Sequence, residues 1–437
     1  MLTQKQTSMW NESIVNFATS QGAKTIFSNF TNKEVPFCFK GTSFSFCLSR
    51  SLFSSYDIDA GSKLLLKTIA KRVDLQNIQT IIDSGCGVGV LGLCLLAHSK
   101  KEAKLLCEDR NGLALIYTYA NAIKNKIDVN QIQLGWNLFL QNPNMPLADI
   151  FVANIPAKAG NNLIKLFFQK VTTWVKPESG VVCIVIVKPL SELALQSVAE
   201  ANLRICYKEE TSDYLVLHLK SAVKLQKEFI GLENYTRSIN EYTLQEVKYT
   251  LSSVYNLPDF DTLSYSSLQL SQLVLATNLF KGVKNNSSKF TIGFINPVQG
   301  HLTLFTLAAL LKQNPKFDFS KLEIYLYGLD YLELYITNKN IQDFAQKNGI
   351  NILVTTKLLF TLGKEELDSF VFNPIPTPLP HEIEFVLGSL SKLKEKHALL
   401  FSAKSSDFSQ MEKLLKGYSM VRHKKGRGFK AAYLVKK

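Results

Sequence analysis

A chain of 437 residues exceeds the usual size of one domain and is long enough for two, each with its own core. Its formal net charge of +14 favours a polyanionic partner, with a merely solvated basic surface as the alternative. No apolar run approaches membrane-spanning length and the start, Met1-Leu2-Thr3-Gln4-Lys5, is polar. The seven cysteines (Cys38, Cys47, Cys86, Cys94, Cys107, Cys183 and Cys206) form no C-x-x-C pair and have no histidine at zinc spacing. A membrane protein, a disulfide scaffold and a zinc site are thereby excluded, and a soluble cytoplasmic protein without a metal is expected.

After a variable N-terminal stretch, residues 35–39 and 43–48 alternate as a small hairpin with Lys40-Gly41 at its turn. Leu64, Leu65, Leu66 and Ile69 give residues 61–72 the apolar face of a helix. From residue 79 the pattern alternates. Strands are expected over 79–83, 103–108, 132–134, 149–153 and 181–187, with helices over 90–98, 112–124, 161–174 and 191–201. This predicts an α/β fold with a mostly parallel sheet covered on both faces, closed by an antiparallel pair over 202–207 and 214–220. Ligands in such sheets bind at the carboxyl ends of the strands, where Asp83, Asp109 and Asn154 fall. Between 221 and 263 the alternation stops and charges cluster (Lys224, Lys227, Glu228, Glu233, Arg237, Glu241), which reads as a helical or irregular connector. A second round of strands and helices follows. The expected division is 1–222, a connector over 223–263, and 264–437.

One segment speaks for a ligand class: Thr80-Ile81-Ile82-Asp83-Ser84-Gly85-Cys86-Gly87-Val88-Gly89-Val90-Leu91, a strand ending in an acid, then alternating glycines and a helix start. Glycine permits close backbone approach and positive φ, so this is a cofactor seat. Gly87-Val88-Gly89-Val90-Leu91-Gly92 fits the dinucleotide pattern G-x-G-x-x-G, with Asp109 about 20 residues on. Asp83 argues against a dinucleotide, because a carboxylate there would repel the pyrophosphate. S-adenosylmethionine carries an ammonium and a sulfonium, which suit that acid, and the antiparallel end of the sheet points the same way. A dinucleotide, or a turn that binds nothing, stays as the alternative. Cys86 reads as a small residue tolerated in a tight turn rather than a nucleophile.

The chain also resembles itself. Residues 106–121 match 325–340, and Asp149-Ile150-Phe151-Val152-Ala153-Asn154 matches Asp368-Ser369-Phe370-Val371-Phe372-Asn373, both displaced by 219 positions (121 to 340, 154 to 373). The glycine loop at 80–91 meets 291–302, displaced by 211 (80 to 291). Ordered matches at such similar displacements imply a tandem duplication. The second copy has lost the chemistry: Phe294 stands for Asp83, Asn296-Pro297-Val298 for Gly85-Cys86-Gly87, and Gly328 for Asp109. Its tail is strongly basic, with Arg422, His423, Lys424, Lys425, Arg427 and Lys430 around a Gly426/Gly428 turn, which suits phosphate binding or a solvated loop.

Phe53-Ser54-x-x-x-Ile58-Asp59-x-Gly61-Ser62-x-x-Leu65-Leu66, the glycine loop, and Asp149 through Asn154-Ile155-Pro156 together resemble the methyltransferase small domain family. Its best-known members are bacterial ribosomal RNA guanine-N2 methyltransferases. The resemblance covers about residues 35–219. It implies a class I S-adenosylmethionine-dependent methyltransferase with a Rossmann-like sheet, here duplicated with a degenerate second copy. In those enzymes the degenerate copy comes first; here the order is reversed. The family pattern assigns Asp83, Gly85, Gly87 and Gly89 to the methionine end of the cofactor, Asp109 to the ribose hydroxyls, and Asn137 to the adenine amine, where an acid is usual. The catalytic motif Asn-Pro-Pro-aromatic becomes Asn154-Ile155-Pro156-Ala157. Asn154 and the Ile155 carbonyl remain acceptors for an exocyclic amine, with Pro156 shaping the turn, but Ala157 lacks the ring that stacks on a flipped base. Phe53 or Tyr56 is placed to supply a ring, with core or rim packing as the alternative, and Lys158, Lys424, Lys425 and Arg427 to meet phosphates. The implied activity is methyl transfer to a base nitrogen of structured RNA. A protein glutamine N-methyltransferase and a non-catalytic RNA-binding protein with a relic pocket are the rivals. Whether the copies act as an internal pseudo-dimer stays open.

Overall fold

The computed structural model describes residues 14–139, 141, 146–220, 231–259, 262–277, 289–363, 367–372, 380–393, 397–415 and 417–437. The chain divides after Tyr235 into two compact units. The expected boundary at 222/223 lies in 221–230, outside the described residues.

In the first unit, helix α1 (Gln21–Phe30) begins where the Ser20 hydroxyl accepts from Ala23 N–H. Strands β1 (Thr31–Phe39) and β2 (Thr42–Ser49) form the expected hairpin, turning on Lys40 (φ 47°) and Gly41 (φ 82°), the paired left-handed conformation that suits the strand twist. Helix α2 (Ala60–Arg72) is capped by Asp59. Then follow β3 (Thr80–Ser84), α3 (Val90–Leu96), β4 (Lys104–Asp109), α4 (Gly112–Lys124), β5 (Ile132–Trp136), β6 (Ile150–Asn154), α5 (Asn161–Lys170), β7 (Val181–Val187), α6 (Ser191–Glu200), β8 (Arg204–Glu210) and β9 (Tyr214–Lys220). The sheet order is β5-β4-β3-β6-β7-β9-β8. Strands β3 to β7 run parallel, and β9 pairs antiparallel with both β7 and β8. All of β7 except its last residue is buried, as a strand covered on both faces requires. The strand order reverses beside β3, which opens a crevice at its carboxyl end.

The second unit repeats this plan. It contains hairpin β10 (Thr236–Leu244) and β11 (Val247–Val254), then α7 (Tyr265–Thr277), β12 (Phe290–Ile295), α8 (His301–Gln313), β13 (Leu322–Gly328), α9 (Tyr331–Asn348), β14 (Leu353–Leu358), β15 (Ser369–Phe372), α10 (Pro380–Lys392), β16 (Ala398–Lys404), α11 (Ser405–Leu414), β17 (Tyr418–Gly426) and β18 (Phe429–Lys436). Its sheet order, β14-β13-β12-β15-β16-β18-β17, is that of the first strand for strand.

The connector expected over 223–263 is corrected here. Residues 236–254 form the hairpin β10–β11, equivalent to β1–β2 at a displacement of 205 (31 to 236, 49 to 254). Most of β10 is exposed and carries Arg237 and Glu241, so its polar face hid the strand pattern. The duplication therefore includes the hairpin, and the same device docks it in each unit. Asn121, fully buried, accepts from Cys47 N–H (2.9 Å) and donates to the carbonyls of Cys47 (3.2 Å) and Val88 (3.0 Å). Asn340 accepts from Ser252 N–H (3.0 Å) and donates to the carbonyls of Ser252 (2.9 Å) and Gln299 (3.0 Å). One side chain satisfies backbone groups that burial would otherwise leave unpaired. Among the described residues no helix is long and apolar enough to cross a membrane, and no cluster of His, Cys, Asp and Glu could hold a metal ion.

Candidate active site

The loop between β3 and α3 takes its shape from three glycines at positive φ: Gly85 (76°), Gly87 (56°) and Gly89 (88°). Backbone N–H groups of Gly85 and Cys86 both donate to the Glu108 carbonyl (2.8 and 3.0 Å), which ties the loop to the end of β4. A Cβ at Gly85 or Gly87 would meet nothing within 4 Å, so space lies open above the loop. At Gly92, by contrast, a Cβ would stand 2.9 Å from Asp83 Oδ2 and from Leu105 Cδ1. The third glycine of the motif thus serves packing under the loop.

Asp83 is fully buried. Its Oδ2 accepts from Gly92 N–H (2.8 Å), while Oδ1 has no hydrogen-bond partner. Burial pushes its carboxyl up to about 7, against the opposing pull of the Gly92 N–H. The acid read from sequence as an ammonium contact therefore lies inside the fold, joining β3 to the first turn of α3.

Asp109 ends β4 half-exposed, accepting from Gly87 N–H through Oδ2 (3.0 Å) and from Asn111 N–H through Oδ1 (2.8 Å). It thereby shapes the loop from the end of β4. Asn137, just after β5, is buried; its amide donates to Glu108 Oε1 (3.2 Å) and its Oδ1 is unpaired. Glu108 is also buried, with Oε2 unpaired, and burial pushes its carboxyl up to about 8. Sequence reasoning passed over Glu108. Its only signal was a second acid beside Asp109, directly after the apolar run Leu105-Leu106-Cys107.

Register places these groups on one level. Asp83 pairs with Val152 and Ser84 with Glu108, so the carboxyl ends of β3, β6 and β4, which lead to Gly85, Asn154 and Asp109, lie side by side, the three strands spanning roughly 10 Å. The Asn154 amide nitrogen donates to Asp59 Oδ2 (2.7 Å) and Ser62 Oγ (3.1 Å). Ile155 turns its N–H to the Val185 carbonyl (2.9 Å) and Pro156 accepts from Ala159 N–H (3.0 Å). Lys158 is exposed in the following turn. Phe53 and Tyr56 are 76% and 63% exposed, so the alternative of core packing is excluded for both. Tyr56 lies only three residues before Asp59.

The second unit keeps the loop's path but fills it. Asn296 N–H donates to the Tyr327 carbonyl (2.9 Å), as Gly85 does to Glu108, and Glu333 Oε1 takes Val298 N–H (2.8 Å), as Asp109 takes Gly87. Asn296 and Val298 nevertheless carry side chains at φ 51° and 57°, both buried, where Gly85 and Gly87 leave space. Holding a β-branched residue there is costly and leaves no cradle. Asn373, the counterpart of Asn154, lies outside the described residues. At the other end of this unit Lys424, Lys425 and Arg427 are exposed on hairpin β17–β18; Arg427 stacks over the Tyr265 ring at 5.2 Å, Arg422 donates to the Ala276 carbonyl, and Lys430 is paired with Glu412.

The sequence profile of the methyltransferase small domain family matches residues 43–218. That stretch of the first unit carries a methyltransferase small domain. The protein is an S-adenosylmethionine-dependent methyltransferase, and the open loop with unpaired acceptors on Asp83, Asn137 and Glu108 fits that cofactor. Among similar proteins, YbxB of Bacillus subtilis (strain 168) is 24% identical over 191 residues, 44% of this chain and 92% of the relative. Ribosomal RNA small subunit methyltransferase C of Psychromonas ingrahamii is 27% identical over 155 residues, 35% of this chain and 38% of the relative; the chain thus matches little more than a third of that protein's length. The solved structure of the T. thermophilus 16S rRNA N2 G1207 methyltransferase, in complex with AdoMet and guanosine, covers 93% of this chain and 98% of its own at 14% identity, with a TM-score of 0.60. The tandem fold is therefore shared from end to end.

Proposed function

We propose that the first unit transfers a methyl group from S-adenosylmethionine to a base nitrogen of structured ribosomal RNA, with guanine N2 as the acceptor. The observation that carries this reading is the Asn154 amide. Its nitrogen is engaged within the protein at the carboxyl end of β6, level with the glycine loop, so its oxygen is the end left to accept from an amine. Relatives that methylate ribosomal RNA and the net charge of +14 support the choice of RNA.

When bound, the cofactor supplies an electrophilic methyl group on a sulfonium. Gly85, Gly87 and Gly89 provide the open seat, Asp83 and the loop N–H network hold it, Asp109 takes the ribose and Asn137 the adenine amine. Asn154 Oδ1 and the Ile155 carbonyl accept the two hydrogens of the exocyclic amine and aim its nitrogen at the methyl carbon, while Pro156 fixes the turn. The amine loses its proton as the new bond forms, so the enzyme's main contribution is orientation. Phe53 and Tyr56 replace the ring missing at Ala157 by stacking on the flipped base. Lys158, Lys424, Lys425 and Arg427 contact phosphates.

Asn154→Ala tests the reading: transfer from labelled cofactor to unmodified ribosomal RNA should vanish while cofactor affinity stays within about threefold. Persistent transfer in that variant means Asn154 is not the amine acceptor. Nucleoside mass spectrometry of the product identifies the base, and label on protein rather than RNA would favour a glutamine acceptor.

A further inference from the structure

We propose that Asp59 is a positioning residue for methyl transfer, holding the Asn154 amide in the one orientation that offers oxygen to the substrate and polarising that oxygen. This rests on the reading of Asn154 given above.

A primary amide has two ends of nearly equal shape, and only one accepts a hydrogen bond. Turned the other way, Asn154 would present N–H groups to the amine hydrogens and repel them. The two hydrogens of Asn154 Nδ2 are instead directed at Asp59 Oδ2 (2.7 Å) and Ser62 Oγ (3.1 Å). A carboxylate only accepts, so the flipped amide would set oxygen against oxygen at that short distance. Asp59 is itself immobilised, because the same Oδ2 caps α2 by accepting from Ser62 N–H (2.9 Å). Gly61 makes this possible: a Cβ there would stand 2.9 Å from Asp59 Oδ2 and 2.9 Å from the Tyr214 ring. The neighbouring acid, Asp57, is paired with Lys63 (2.8 Å), which leaves the Asp59 charge directed to the amide and the cap. Asp59, Gly61 and Ser62 are therefore one device, reaching across 95 positions of sequence to Asn154.

The charge also matters during the reaction. As the acceptor nitrogen bonds the methyl carbon it gains positive charge, and its hydrogens bind an electron-rich oxygen more strongly than before. An anion behind the amide raises the electron density on Oδ1, so its effect falls on the transition state and on kcat.

The test uses the full chain and unmodified ribosomal RNA. Asp59→Asn retains a good helix cap but loses the charge and can hold the amide either way round. It should lower kcat by 10- to 100-fold, with KM for RNA and Kd for S-adenosylmethionine within threefold of wild type. Asn154→Asp alone sets two carboxylates face to face and should be inactive near neutral pH. The exchange variant Asp59→Asn/Asn154→Asp restores an acceptor toward substrate with a donor behind it, and should recover at least tenfold over the better single variant. A merely structural role predicts no recovery. Ser62→Ala, which keeps the cap, should lower kcat about two- to fivefold and serves if Asp59→Asn does not fold. Wild-type kcat in folded Asp59→Asn, or an exchange variant no better than the single ones, overturns the proposal. If Asn154→Ala is inactive while Asp59→Asn is fully active, only this inference fails; if Asn154→Ala is active, the reading beneath it fails.

Discussion

Gly87→Val rewrites the intact loop with the residue that its degenerate counterpart, Val298, carries. Gly87 sits at φ 56° and Val298 at 57°, so the backbone path need not change. A Cβ at Gly87 meets nothing within 4 Å, so no clash opposes folding. The stability cost is then conformational, about 2 kcal/mol for a side chain in the left-handed region, or roughly 4–8 °C in Tm for a unit of this size. The isopropyl group projects into the space proposed for the cofactor, where backbone must approach the ligand closely. Affinity for S-adenosylmethionine should fall at least 100-fold, about 2.7 kcal/mol. Isothermal titration measures the second effect and differential scanning calorimetry the first. Gly92→Ala is the contrasting control: its Cβ would press on Asp83 and Leu105 at 2.9 Å, so it should lose about 1–3 kcal/mol of stability through packing. If Gly87→Val binds the cofactor within threefold of wild type, the loop is not the seat and the argument from its open space is refuted.

Asn121→Ala and Asn340→Ala should each cost about 3 kcal/mol by stranding buried backbone groups of the docked hairpin. All three tryptophans precede residue 236, so Asn121→Ala should lower the urea midpoint seen by fluorescence, and Asn340→Ala chiefly that seen by circular dichroism; coincident shifts would show that the units do not unfold separately. Replacing Lys424, Lys425 and Arg427 by Ala should weaken RNA binding and reduce the slope of log K against log salt by about 2–3. An unchanged slope removes this hairpin from the RNA contact. Burial raises the Glu108 carboxyl from 4.5 to about 8 in the fold, so the folded state holds the proton more tightly. That contribution is fully present below about pH 4.5 and is lost as pH rises to about 8, so Glu108→Gln should gain on wild type across that window by at most about 1.4 kcal/mol per pH unit. A Tm difference independent of pH would show that Glu108 does not titrate there.

Local chemistry was legible wherever one residue type answers one backbone demand. Gly85, Gly87 and Gly89 stand at positive φ, and the alternation from residue 79 produced every strand of the first sheet to within a few positions. The duplication was legible because its motifs kept their order. The hairpin at 236–254 was not, because most of β10 faces outward and reads as polar, so its pairing with β11 left no alternating apolar pattern. Nor did sequence show that Asp83 is wholly buried, that Glu108 lies against Asn137, or that Asp59 holds Asn154.

The sequence by itself determined the order of the first unit's elements, the two copies, the glycine loop and which copy kept its glycines, since φ preference and hydrophobic period act within a few residues. Only the tertiary structure decided which polar groups meet. Asn154 finds Asp59 because parallel strand register and the capped start of α2 bring them to one level, and nothing in the chain between them encodes that distance locally.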